Sequence, residues 1–117
     1  MNFITLAKPM CKMAVTAFVF YFSAALSANA TCIDPAGPGV DWSGCDLYDT
    51  LLDDANLTGA DLTYATLFNA DLRGAYLSAA NLNDATLTDA ILMRTILEHA
   101  TACNTTAPDG SLINRDC

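Results

Sequence analysis

Residues 55–64 read ANLTGADLTY, two successive copies of a five-residue unit in which alanine is followed by Asp or Asn and then by leucine. The unit recurs without insertion or deletion from Val40 to Asn104, as thirteen consecutive copies. Leucine holds its third position 11 times in succession, from Leu47 to Leu97. An unbroken repeat of this length indicates one small structural unit stacked many times.

A period of five fits no straight element of secondary structure. On an α-helix, leucines spaced in this way would lie about 140° apart and would point all round the cylinder. On a flat strand, alternate leucines would face opposite sides of the sheet. The leucines can share one interior only if the chain turns a corner within each unit, so the pattern predicts a solenoid. The alanine two positions earlier would point into the same interior.

This run of Ala-(Asp/Asn)-Leu units resembles the pentapeptide-repeat family. The resemblance implies an all-β fold, a right-handed quadrilateral β-helix with four units in each coil. The repeat would then form about three coils with stapled caps. At about 4.8 Å per coil, the solenoid would be roughly 16 Å tall. The tail from Cys103 to Ser111, followed by Cys117, is similar to the C-terminal cap of exported or thylakoid-lumenal members.

The segment that precedes the repeat is typical of a secretory signal. Residues 1–12 carry both lysines and no acid, residues 13–26 are an apolar run, and Ala28 and Ala30 form a small-x-small cleavage site. A helix over the apolar run is only about 21 Å long, shorter than the roughly 30 Å hydrocarbon core of a membrane. We therefore predict a signal peptide over residues 1–30, with an uncleaved signal anchor as the alternative.

The rest of the chain divides by its repeat. We predict an N-terminal cap segment over residues 31–39, a pentapeptide-repeat β-solenoid over residues 40–104 and a C-terminal cap segment over residues 105–117. The two flanking segments contain turn-forming Pro, Gly and Asp residues and lack the repeat.

Four cysteines remain after the predicted cleavage, two near each end of the repeat. An even number of cysteines in a short exported chain indicates disulfide bonds, and four allow three pairings. Local pairing is the simplest, namely Cys32 with Cys45 and Cys103 with Cys117, each worth about 3 kcal/mol. A zinc site is the rival interpretation, but the chain has no Cys-x-x-Cys motif and a single histidine.

Charge and chemistry argue against several classes of function. Residues 31–117 contain 13 acidic residues and three arginines, a formal charge of −10, which opposes binding to nucleic acid. His99 is the only histidine, and no serine or free cysteine is placed for it to activate. We expect no catalytic residue, no cofactor and no metal site. A weak calcium site on an acidic column such as Asp49, Asn69 and Asp89 is the open alternative, although no EF-hand-type loop accompanies it.

Outward columns of the predicted solenoid offer a candidate binding surface. Tyr48 would lie below Phe68 on one side, and Tyr76 below Ile96 on another. Such columns form a protein-binding patch or simply stabilise neighbouring strands by up to about 1 kcal/mol for each pair. Asp53 would lie below Arg73 and form a surface ion pair with it.

Two functions from different classes are consistent with these features. The first is an exported, non-catalytic module that binds a protein or has a structural role, in a periplasm, a thylakoid lumen or outside the cell, without stable membrane insertion after cleavage. Its partner and its oligomeric state are left open. The alternative comes from the resemblance alone, because some relatives mimic B-form DNA in shape and charge and bind type II topoisomerases. The short repeat, the stapled ends and the signal favour the first.

Overall fold

The computed structural model of the chain describes residues 32–117, so the predicted signal peptide lies outside them. Two β-strands are present in this part, β1 (Ala102–Thr106) and β2 (Leu112–Arg115), which pair antiparallel in one sheet. Between residues 32 and 117 there is no helix with the length and apolar character needed to cross a membrane.

The repeat itself is held by parallel bridges between residues 20 positions apart. All ten isolated bridges have this spacing, for example Leu51 with Asp71 and Asp71 with Ile91. The Leu72 amide donates to the carbonyl of Ile91 at 2.9 Å, and the Asp71 amide donates to the carbonyl of Thr50 at 2.9 Å. Four units therefore complete one revolution. Each side contributes one bridging residue before the next turn, which is why the repeat contains ladders of bridges and no extended strand before Ala102.

The periodic hydrogen bonding extends one unit past Asn104. Thr106 bridges Thr86, and the Asp89 amide donates to the carbonyl of Pro108 at 2.9 Å. This unit, residues 105–109, has alanine in place of the usual leucine. Counting the sides from Asp41, Thr101 and Thr106 therefore extend the first and second sides above the last complete revolution, and the third and fourth sides begin at Leu51 and Asn56. Strand β2 pairs with β1.

Every fifth residue adopts a left-handed backbone conformation at a corner. From Gly39 to Asn104 all 14 of these residues have a positive φ. At the 11 corners from Leu47 to Leu97 the leucine carbonyl accepts a hydrogen bond from the amide three residues on, as between Leu47 and Thr50, and the positive φ at the third residue is that of a type II turn. Ten of the 14 corner residues are Gly, Asp or Asn, which tolerate this conformation best. The other four are Tyr64, Ala79, Arg94 and His99.

The interior is a stack of leucines with small residues at its corners. The seven leucines of the repeat from Leu47 to Leu77 are fully buried, as are Ala60, Ala70 and Ala75. The buried hydroxyls of Thr50 and Thr105 donate to the carbonyls of Leu47 and Leu82 at 2.8 and 2.7 Å, so they add no unpaired polar group to the core. At the N-terminal end, Trp42 is fully buried and its Nε1 donates to the carbonyl of Asp34 at 3.2 Å.

A charge placed inside this stack should unfold the protein. Leu72 is fully buried, so Leu72→Asp introduces an unpaired carboxylate at a cost of several kcal/mol, comparable to the stability of a small domain. Leu51 lies on the outside with 58% of its surface exposed, so Leu51→Asp is the matched control. We expect the cooperative melt followed by circular dichroism to vanish in the first variant and to stay near wild type in the second. A near-wild-type melt for Leu72→Asp would contradict the described core.

The left-handed corners predict an uncommon stabilising substitution. Ala79 is exposed with φ 61°, a conformation that costs a residue with a Cβ about 1–2 kcal/mol. After the entropic cost of glycine, Ala79→Gly should stabilise the protein by about 0.5–1 kcal/mol in urea unfolding. The neighbouring Ala80 is buried and has no positive φ, so Ala80→Gly should instead destabilise it by about 1 kcal/mol or more. Equal losses in both variants would refute the role given to the corner.

Candidate binding surface

The outward Asp and Asn residues of the repeat serve the turns. In several units this side chain accepts a hydrogen bond from the backbone amide two residues on, as Asp61 does from Thr63 at 3.1 Å, and the Thr63 hydroxyl adds a second bond at 2.7 Å. Such Asx interactions stabilise tight turns. The pKa of Asp41 is lowered by the hydroxyl and the amide of Ser43, and the pKa of Asp109 by the same groups of Ser111. Part of the acidity thus has a structural role.

Arg73 pairs with Asp71, so the predicted Asp53–Arg73 ion pair is wrong. The guanidinium contacts the Asp71 carboxylate with two atoms, Nε to Oδ1 at 2.8 Å and Nη2 to Oδ2 at 2.6 Å. The Arg73 amide also donates to Asp71 Oδ1 at 3.2 Å, so the turn already holds the carboxylate beside the arginine. The hydrogen bond and the charge of Asp71 raise the pKa of Arg73, and Asp53 adds only a weaker attraction through its charge.

The predicted aromatic column exists as a stacked pair. The rings of Tyr48 and Phe68 have centroids 5.4 Å apart and planes inclined by 18°. Tyr48 is exposed and Phe68 is half-buried. Both occupy the turn that follows the second side of the coil, so the pair lies at a corner of the solenoid.

The second predicted pair lies on a different side. Tyr76 and Ile96 form a parallel bridge on the fourth side, and both are exposed. The third side, with Leu51, Asp71 and Ile91 in one column, separates them from Tyr48 and Phe68. The four predicted residues are therefore two pairs and do not form one continuous patch.

Additional apolar side chains adjoin the Tyr76–Ile96 pair. Ile91 and Met93 are exposed and precede Ile96 around the corner between the third and fourth sides. The sequence prediction did not join these residues to Tyr76. The signal was available in the spacing, because residues 91, 93 and 96 follow each other around one corner of the last complete revolution.

Both predicted disulfides are confirmed. Cys32 bonds to Cys45 and Cys103 bonds to Cys117, with Cα atoms 5.5 and 5.1 Å apart. Each bond joins a flanking segment to the repeat, and with these four sulfurs bonded in pairs no thiolate among them is available to zinc. Over residues 32–117 no cluster of three or more His, Cys, Asp or Glu side chains could hold a metal ion.

The acidic columns contain hydrogen bonds between amides and carboxylates. Asn69 Nδ2 donates to Asp49 Oδ1 at 2.5 Å, and Asn104 Nδ2 donates to Asp84 Oδ1 at 2.6 Å, each across one revolution. Both bonds link successive corners, and the first of them uses an oxygen of the column considered for calcium. His99 is also an exposed corner residue.

Comparison with known proteins agrees with the repeat. A family model described as pentapeptide repeats (8 copies) matches residues 43–78 and 70–106. A pentapeptide repeat protein from the cyanobacterium Cyanothece is 39% identical over 58% of this chain and 44% of its own, with a TM-score of 0.32. HetL of the cyanobacterium Nostoc, involved in heterocyst differentiation regulation, is 30% identical over 65% of this chain and 42% of its own, with a TM-score of 0.28.

A pentapeptide repeat protein from the Arabidopsis thaliana thylakoid lumen is 26% identical over 64% of this chain and 63% of its own, with a TM-score of 0.35. This chain thus spans less than half of the two cyanobacterial proteins and under two thirds of the plant protein. No curated protein sequence matches it. Because the family model covers more than half of the chain, this protein belongs to the pentapeptide-repeat family, whose members form right-handed quadrilateral β-helices.

Proposed function

We propose that the protein is an exported, non-catalytic module that binds a protein partner or has a structural role. The observation that carries export is the pair of disulfides, Cys32–Cys45 and Cys103–Cys117. Disulfides persist in oxidising compartments such as a periplasm or the extracellular space and are rare in a reducing cytosol. The secretory pattern of residues 1–30 supports the same location, with a thylakoid lumen as a third compartment of this kind.

In this proposal the repeat is a solenoid of about three coils between two stapled caps, residues 31–39 and 105–117. The bridges run from Asp41 to Thr106, which is consistent with that length. Each disulfide joins one cap to the repeat, where an open solenoid end would otherwise expose apolar side chains and backbone.

Packing supports a role without catalysis. The interior is lined mainly by leucine and alanine, and the outward Asp and Asn side chains of the repeat are largely engaged by turn amides and neighbouring amides. An exposed histidine at a corner, with no nucleophile placed beside it, is a poor general base. The exposed apolar residues Tyr76, Ile91, Met93 and Ile96 are instead the surface chemistry of protein contacts.

The intact mass of the native protein, taken from separated cell fractions and medium, tests this proposal. We expect a protein outside the cytoplasm with the mass of Thr31–Cys117 less four hydrogens. Cleavage after Ala30 removes residues 1–30, and the formation of two disulfides removes the four hydrogens. Reduction before the measurement should add the four hydrogens back and serves as the control. A full-length, reduced protein in the cytoplasm would refute export and favour the DNA-mimicking binder of a type II topoisomerase.

A further inference from the structure

The last revolution of the repeat is covered on only two of its four sides. On the third side, the Leu72 amide donates to the carbonyl of Ile91 one revolution above, whereas the Leu92 amide, one revolution further, has no acceptor within residues 32–117. On the fourth side, the Leu77 amide donates to the carbonyl of Ile96 at 2.7 Å, whereas the Leu97 amide has no such acceptor in the described chain. The ladder therefore ends in unpaired donors.

The acceptors of this edge are unpaired as well. The carbonyls of Ala70 and Ala75 accept from the amides of Ile91 and Ile96, each at 2.9 Å. Ala90 and Thr95 occupy the same places one revolution further, and their carbonyls accept no hydrogen bond from any described residue. We call these backbone groups of residues 90, 92, 95 and 97 the open edge. Such an edge is a template for one more strand.

An apolar cavity lies directly inside the open edge. Its volume is about 130 Å³, and it is bounded by inner leucines of the last revolutions and by Ile113 of strand β2. Leu82 and Leu87 are each 3% exposed, but Leu97 is 37% exposed and Leu92 is half-buried, so the cavity opens toward the third and fourth sides. An engineered apolar cavity of about 150 Å³ accommodates a benzene ring, so this space suits one apolar side chain.

The polar groups that line the cavity are already in hydrogen bonds. Thr105 Oγ1 donates to the carbonyl of Leu82 at 2.7 Å, and Arg115 Nη2 donates to the carbonyl of Ala100 at 2.8 Å. The cavity therefore favours an apolar side chain as its occupant. The open edge favours an extended backbone, whose own amides and carbonyls can pair with its unpaired groups.

We propose that the open edge binds an extended peptide segment of a partner protein, which pairs with one side of the last revolution and inserts one apolar side chain into the cavity. Strand addition of this kind takes affinity from main-chain hydrogen bonds and specificity from a side-chain pocket. The inference rests on the proposed protein-binding function and gives that function a site and a class of partner.

Charge selects a basic segment over a second copy of the chain. Residues 31–117 have a formal charge of −10, so two copies repel each other, whereas a segment with lysine or arginine at its ends, away from Arg115 at the cavity, is attracted. The exposed side chains of Ile91, Met93 and Ile96 stand beside the open edge and add apolar contact for residues that flank the inserted one.

A defined peptide tests this site in the disulfide-intact protein. The probe is the capped heptapeptide Lys-Thr-Val-Leu-Val-Thr-Lys, and the readout is the NMR signal and hydrogen exchange of individual amides in isotope-labelled protein. We expect the Leu92 or Leu97 amide to shift and to exchange more slowly as the peptide is added up to millimolar concentration. The same peptide with alanine at its centre should bind about tenfold more weakly or worse, because it leaves the cavity unfilled.

Two protein variants distinguish binding at this site from nonspecific binding of the peptide. Leu97→Trp enlarges a half-exposed side chain at the mouth of the cavity and should abolish the response, whereas Leu112→Trp enlarges an exposed side chain on β2 that does not line the cavity and should keep it. Thermal melts of both variants confirm that they are folded. A response that survives Leu97→Trp in folded protein, or none in wild type, would overturn the proposal.

A second copy as the occupant would be visible without any peptide. The Leu92 and Leu97 amides would then be protected from hydrogen exchange at high protein concentration, and the protein would have the mass of a dimer in solution. This result would also overturn the proposal. Export is measured separately by the intact mass. A cytoplasmic protein that binds the peptide would refute export alone, and an exported protein that does not bind it would refute the peptide site alone.

Discussion

The corner at every fifth residue is the constraint on which the rest of this structure depends. A positive φ at all 14 of these positions lets the chain turn once in each unit and return to the same side after four units. The leucines then meet in one interior, and the backbone of each side meets the next revolution at hydrogen-bonding distance. Small residues hold the inward corner positions because larger ones would not fit between successive leucines.

The need to form a turn in every unit also explains outward polar residues whose alignment in columns would otherwise suggest a binding function. Where Asp or Asn precedes the leucine, its side chain accepts a hydrogen bond from the turn amide, and corner residues such as Asp49 and Asn69 bond to each other across a revolution. An acidic surface therefore follows in part from building the turns.

Much of this was predictable from the sequence, because periodicity and cysteine position report directly on geometry. The five-residue period implies a corner in every unit. A cysteine pair at each end of the repeat implies a disulfide between neighbouring segments, and the structure confirms both Cys32–Cys45 and Cys103–Cys117. The partner of Arg73 was missed because column reasoning compares successive revolutions and overlooks a carboxylate two positions away in the turn. The left-handed corners were also missed, although Gly, Asp and Asn at every fifth position signalled them.

The open edge could not be predicted from the sequence. The repeat pattern continues through Leu92 and Leu97, and both units keep the leucine of the units below them. The difference lies in the C-terminal segment, since residues 101–106 supply only two further sides and the chain then folds back as β2. Whether a leucine at the end of a solenoid is buried depends on the path of later residues, and its own unit does not encode that path.

Long-range contacts between backbone protons in solution test the central claim most directly. The fold predicts nuclear Overhauser effects between residues one revolution of four units apart on all four sides, such as Leu72 with Ile91 and Leu77 with Ile96. A set of contacts at a spacing of three or five units would instead mean a three-sided or five-sided coil. That result would contradict the four-sided coil, and with it the buried leucine stack and the open edge.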